Sequence, residues 1–146
     1  VLQIRQVIEK ISKGNNKSSN ATSVGSIAIQ LGVAAKTLGI NPDALDNAQQ
    51  LRLAQCLLEN SFNIRVVAFH LRDLILYDNP GIDTSHLTDE QIILAGSRYN
   101  RGTQRKSDDI INSIHSPQGG ETREYSEYGR NIIEKKQTII KILQGR

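Results

Sequence analysis

Residues 60–77 constrain the fold more than any other stretch. Ile64, Val67, Leu71, Leu74 and Ile75 recur at helical spacing, and Asn79-Pro80-Gly81 then stops the pattern. A helix of about five turns with one apolar stripe needs other stripes to cover it. The rest of the chain offers them. Ile4, Val7, Ile8 and Ile11 form the i, i+3, i+4, i+7 set of an amphipathic helix over residues 1–13, which Gly14 can end. Residues 26–38 are apolar and small and read as a nearly buried helix closed by Gly39. Asp46 or Asn47 can cap a helix running to Glu59 with Leu51, Ala54 and Leu58 inward. Asp108 to Ile114 is at most a short helix, and residues 121–143 read as a terminal one in which Gly129 is a weak point.

Alternating, strand-like runs are scarce and aromatic residues are few: four Tyr, two Phe and no Trp. The expected class is therefore all-α, one domain over residues 1–146 with about six or seven helices. Polar loops separate the elements at 14–24, 101–107 and 116–120. The first is long enough to carry function.

A single cysteine, Cys56, excludes an internal disulfide and reads as a small core residue among Leu53, Leu57 and Leu58. No apolar run approaches the roughly 20 residues of a membrane span. His70, His86 and His115 have no metal-ligand spacing, and no nucleophile elbow or phosphate-cradling glycine loop is present, so neither metal nor cofactor is expected. The net charge of +3 favours anionic partners without identifying them. Arg98, Arg101, Arg105 and Lys106 are the densest basic cluster. It reads as a solvated loop, because no recognition helix or interleaved aromatic residue surrounds it in sequence. No nucleic-acid partner is therefore expected.

Glu9 is the only acidic residue among the first 42. Buried, it would hold a proton near neutrality and could act as a general acid. Exposed, it would pair with Arg5 at i−4 or Lys13 at i+4 as an ordinary surface carboxylate. Further on, Thr88-Asp89-Glu90-Gln91 is a capping box. The helix it starts runs through Ile92, Ala95 and Tyr99 and stops at Tyr99-Asn100, with Gly102 just beyond.

In order along the chain, these segments resemble the soluble lytic transglycosylases, a lysozyme-like family that cleaves peptidoglycan glycan strands. Gly25 to Gln30, followed by Leu31-Gly32-Val33-Ala34-Ala35-Lys36, is similar to the family's Gly-Leu-Met-Gln segment and the helix after it. Asn63-Ile64 with His70-Leu71-Arg72-Asp73-Leu74 resembles its Asn-Ile…Leu-x-x-Leu helix. Ala95 to Gly102 resembles Ala-x-x-Tyr-Asn-x-Gly with one extra residue, and Glu121-Thr122…Tyr125 resembles the late Glu-Thr…Tyr. The family has Glu-Ser and then Asn-Pro, where this chain has Glu9-Lys10 and Gly14-Asn15-Asn16.

The resemblance implies a lysozyme-like fold with Glu9 as the catalytic acid. Gln30, Tyr99 and Tyr125 would line a sugar cleft, and Asn100 would fix the helix end. The implied partner is the peptidoglycan glycan strand, and the implied product is a 1,6-anhydromuramoyl end. The alternatives are a lysozyme-type hydrolase, an inactive wall-binding domain, and a helical module that binds nucleic acid through residues 98–106. No signal peptide is visible and the chain starts at Val1, which suggests a module of a larger secreted, phage or toxin protein directed to the cell wall.

Overall fold

The computed structural model describes residues 2–13 and 16–145. The expected helix stop at Gly14, and the Gly14-Asn15 part of the family-like segment, lie outside them. Among the described residues there are eight α-helices and one two-stranded sheet, so the chain is all-α. It divides into two compact units, Val1–His70 and Leu71–Arg146.

The first unit contains α1 (Leu2–Ser12), α2 (Asn16–Asn20), β1 (Ser23–Val24), β2 (Ile29–Gln30), α3 (Leu31–Thr37), a 3-10 turn at Pro42–Ala44, α4 (Asn47–Leu58) and the start of α5 (Asn60–Asp78). Helix α4 opens on a capping box in which Asp46 and Gln49 exchange bonds: Gln49 N donates to Asp46 Oδ1 at 2.8 Å, and Asp46 N donates to Gln49 Oε1 at 2.9 Å. Val7, Val24, Ile29, Leu31, Ala34, Ala35, Leu53, Ala54, Leu57, Val66 and Val67 are its buried apolar residues.

Several expectations shift here. The 14–24 loop contains a short helix and a strand, which raises the helix count above the expected six or seven. The helix expected from residue 26 begins at Leu31, because residues 23–30 fold into a hairpin. In α4 the inward set is Leu53, Ala54 and Leu57, with Gln50, whereas Leu58 is exposed and Cys56 is only half-buried. In α5, Ile64 is 54% exposed while Asn63 is 0% exposed. Val67 and Leu74 of the expected stripe are buried, but at its start Asn63 takes the inward place of Ile64, because the Asn63 amide bonds the backbone of Ile27. Ile8 in α1 is exposed as well.

The second unit contains the end of α5, α6 (Asp89–Arg101), α7 (Ser107–His115), a 3-10 turn at Arg123–Ser126 and α8 (Glu127–Gln144). The capping box of α6 forms as read: Gln91 N donates to Thr88 Oγ1 at 3.2 Å and Thr88 N donates to Gln91 Oε1 at 2.9 Å. Helices α6 and α8 cross at Gly96 and Gly129. A Cβ on Gly129 would lie 2.1 Å from the Ile93 carbonyl oxygen, and one on Gly96 would lie 3.0 Å from the Gly129 Cα. Gly129 is therefore the close-packing point of two helices. Its cost in helix propensity is offset by backbone contact that no other residue would permit.

Candidate functional site

Glu9 lies on the open face of α1, its side chain 66% exposed, and its Oε1 accepts from Lys13 Nζ at 2.6 Å. The Lys13 hydrogen bond, then the Lys13 charge, hold its carboxyl below the usual 4.5, and Lys10 adds a smaller effect. This is the surface i, i+4 pair that the sequence allowed, not the buried carboxyl that would stay protonated. With Gln6, Lys10, Lys13 and Ser18, Glu9 lines a depression of about 260 Å³. Lys10 is held aside by donating to Thr22 Oγ1 at 2.9 Å.

The hairpin beside this helix is more tightly specified. Ser23 pairs with Gln30 and Val24 with Ile29. The turn between them wraps the Asn63 carboxamide. Ile27 N donates to Asn63 Oδ1 and Asn63 Nδ2 donates to the Ile27 carbonyl, both at 3.0 Å, while Ser26 Oγ reaches Asn63 Oδ1 at 3.4 Å. A buried amide thus satisfies both backbone groups of one turn residue. Gly25 makes this possible. Its φ is +101°, and a Cβ there would stand 2.0 Å from Asn63 Nδ2 and 2.8 Å from the Leu57 carbonyl oxygen. Gly25 N also donates to Gln3 Oε1 at 3.0 Å. Gln30 ends β2 at the start of α3, exposed. It lines a second depression, of about 310 Å³, with Asn20, Gly32, Lys36 and Asn41 among its walls. Glu9 and Gln30 therefore line different depressions of the first unit.

In the second unit the expected aromatic residues gather at the C-terminal end of α6. The Tyr99 ring stacks on Tyr128 with centroids 6.1 Å apart and planes 16° from parallel. Burial, and then the Tyr128 hydroxyl, push the Tyr99 phenol up to about 12. Asn100 is exposed, and Gly102 terminates the helix at φ 80°, its N–H donating to the Arg98 carbonyl at 2.7 Å. Tyr125 sits in the 3-10 turn, with the Arg105 guanidinium 3.8 Å and the Arg101 guanidinium 5.5 Å from its ring centroid. Tyr99 and Tyr125 thus meet the same helix end, and the Tyr125 ring is engaged by arginine.

The sequence reading misplaced Arg98. It belongs to no solvated loop: it is 1% exposed and forms a bidentate pair with Asp78, Nε to Oδ2 at 3.0 Å and Nη2 to Oδ1 at 2.9 Å. Nη2 also donates to Ser107 Oγ at 3.1 Å, Ser107 Oγ donates to Asp78 Oδ1 at 2.6 Å, and Nη1 donates to the Arg105 carbonyl. The Tyr77 ring lies 5.3 Å from the same guanidinium. One signal was available in sequence. Arg98 stands four residues after Leu94, in phase with the buried side of α6. Asn63 stands in the Asn-Ile motif, and its role as the group that holds the turn has no local sequence signal, because its partner is 36 residues away.

Among the described residues no three His, Cys, Asp or Glu side chains converge as a metal site, and no helix is long and apolar enough to cross a membrane. Comparison with protein-family models, curated proteins and solved structures finds no match.

Proposed function

We propose that this chain is a lysozyme-like domain of the lytic-transglycosylase type, directed to the cell wall and acting on peptidoglycan glycan strands. The observation that carries the reading is the Asn63 clamp. The family resemblance draws separately on Gly25–Gln30 and on Asn63-Ile64, more than thirty residues apart in sequence. Those two segments are hydrogen-bonded to each other, and a helix of small residues follows the hairpin at once.

In the proposed reaction Glu9 protonates the oxygen linking N-acetylmuramic acid to N-acetylglucosamine, and that C–O bond breaks. The resulting carboxylate then takes the proton of the muramoyl 6-hydroxyl as its oxygen bonds to C1 and closes the 1,6-anhydro ring. One carboxyl group serves both steps, unlike the carboxylate pair of most glycosidases. Glu9 must be protonated to begin. Its bond to Lys13 favours the opposite state, so bound glycan has to displace Lys13 and desolvate the carboxyl. The sugar contacts implied by the resemblance are proposed unit by unit: Gln30 in the first, and Tyr99, Asn100 and Tyr125 in the second.

That same ion pair favours a second reading, a wall-binding domain that does not cut. Incubation with purified peptidoglycan separates the two. Anhydromuramoyl products by mass spectrometry support the transglycosylase, reducing ends indicate a hydrolase, and co-sedimentation without soluble products supports the binder. Absence of both binding and products removes the whole reading. Glu9→Gln should lower product release by about 100-fold or more, the usual contribution of a general acid. Its circular dichroism should be unchanged, because the side chain is exposed. Full activity in that variant would remove Glu9 from the mechanism.

A further inference from the structure

The basic segment after α6 is anchored by buried chemistry. Arg98 donates to the Arg105 carbonyl and to Ser107 Oγ, and Tyr77 Oη donates to the Thr103 carbonyl at 3.4 Å. These bonds hold the backbone from 103 to 107. On it the Arg105 guanidinium carbon lies over the Tyr125 ring, 3.8 Å from its centroid, and Arg101 approaches the same ring while its Nη2 donates to the Glu124 carbonyl at 3.1 Å. A guanidinium packed on an aromatic ring uses its π face and leaves its in-plane N–H groups free to bond at the edge.

Among the described residues the Arg105 and Lys106 side chains have no hydrogen-bond or ion-pair partner. Both line an open depression of about 590 Å³ with Arg101, Gln104 and Asp109. Three cations thus face one carboxylate. Helix α7 starts at Ser107 without a side-chain cap, and Asp108 and Asp109 in its first turn offset its positive end.

The geometry points to an oxyanion site formed by Arg101, Arg105 and Lys106 that takes a phosphate group. Two guanidinium groups and an ammonium suit a tetrahedral oxyanion better than a planar carboxylate, because the donors come from three side chains in different directions rather than from one planar fork. Base stacking has no part in it, because Tyr125 is already engaged by Arg105 and Tyr99 by Tyr128. The site is independent of whether Glu9 cuts glycans.

The test is an amide NMR titration of the full chain with inorganic phosphate, with sodium acetate at matched ionic strength, and with single-stranded oligothymidylate. Phosphate should give saturable shifts confined to residues 101–109, with half-saturation on the order of millimolar, as expected for a few charge-assisted bonds in water. Acetate should bind more weakly. Arg105→Ala, a change on an exposed side chain, should weaken phosphate binding about tenfold with unchanged circular dichroism, the effect of losing one charge-assisted bond. Tighter binding of oligothymidylate than of inorganic phosphate would assign the phosphate to a phosphodiester polymer, and weaker binding to a small phosphate compound. Shifts that do not saturate, an equal response to acetate, or full binding by Arg105→Ala would each overturn the site.

Discussion

Each unit holds a functional-looking turn with one buried polar side chain, and the two solutions differ in charge. In the first, the neutral Asn63 amide grips the 25–28 turn through one donor and one acceptor. In the second, the Arg98–Asp78 ion pair grips the 103–107 loop through Arg98 donors to a carbonyl and a hydroxyl. A neutral clamp loses little when both partners go together, and its strength is indifferent to salt. A buried ion pair is costly to desolvate and more costly to break by halves, since the surviving charge has no water to replace its partner. The first arrangement leaves the turn's outer surface without added charge. The second presents Arg105 and Lys106 on a loop anchored by the Arg98 bonds, with Arg101 beside them at the end of α6. The hairpin is thus built for shape and the basic loop for charge.

The sharpest break is Asp78→Ala. It strands Arg98, which is 1% exposed, and should destabilise the chain by about 3–5 kcal/mol in urea unfolding. Replacing Asp78 and Arg98 together with apolar residues should recover much of that loss while abolishing the phosphate response, because the loop anchor goes with the pair. Recovery of both would separate the loop from the pair and undo the contrast. Asn63→Ala comes next. It leaves the Ile27 N–H and carbonyl without their partner, at a cost of about 1–3 kcal/mol. Its loss should be the same at low and high salt, and a salt-dependent loss would contradict the neutral-clamp account. The smallest effect concerns pH. The Tyr99 phenol is raised from 10 to about 12 in the fold, so the native state favours its neutral form. Stability from this group is complete below pH 10 and falls as pH rises through 12. Absorbance at alkaline pH should show one tyrosine titrating late, and Tyr128→Ala should bring it earlier.

The helical periods, the stops at Asn79-Pro80-Gly81 and Gly102, the Thr88–Gln91 capping box and a cap at Asp46 could be read from the chain because they depend on neighbours three or four residues away. So could the Glu9–Lys13 pair, which is local to one helix. Burial phase was harder. In α4 the inward face takes in Gln50, and at the start of α5 it takes in Asn63 in place of Ile64, because each amide bonds a partner far away in sequence, Ser19 and Ile27. Gly129 is a weak point by helix propensity alone, and the Ile93 carbonyl packed against it gives the reason for glycine there.

Sequence by itself therefore determined the all-α class, the order of the longer helices and the local stops, but not α2 or the hairpin, because backbone geometry and side-chain periodicity act over a turn or two and short elements carry too few residues to show a period. Tertiary structure decided which polar groups are buried. Arg98 looked like its basic neighbours and became an internal staple, while Tyr125 supplied the aromatic ring that its basic loop lacks in sequence. The reason is that desolvation is a property of surroundings. A charge becomes structural only where the fold removes its water and supplies the partner, and no local pattern records that.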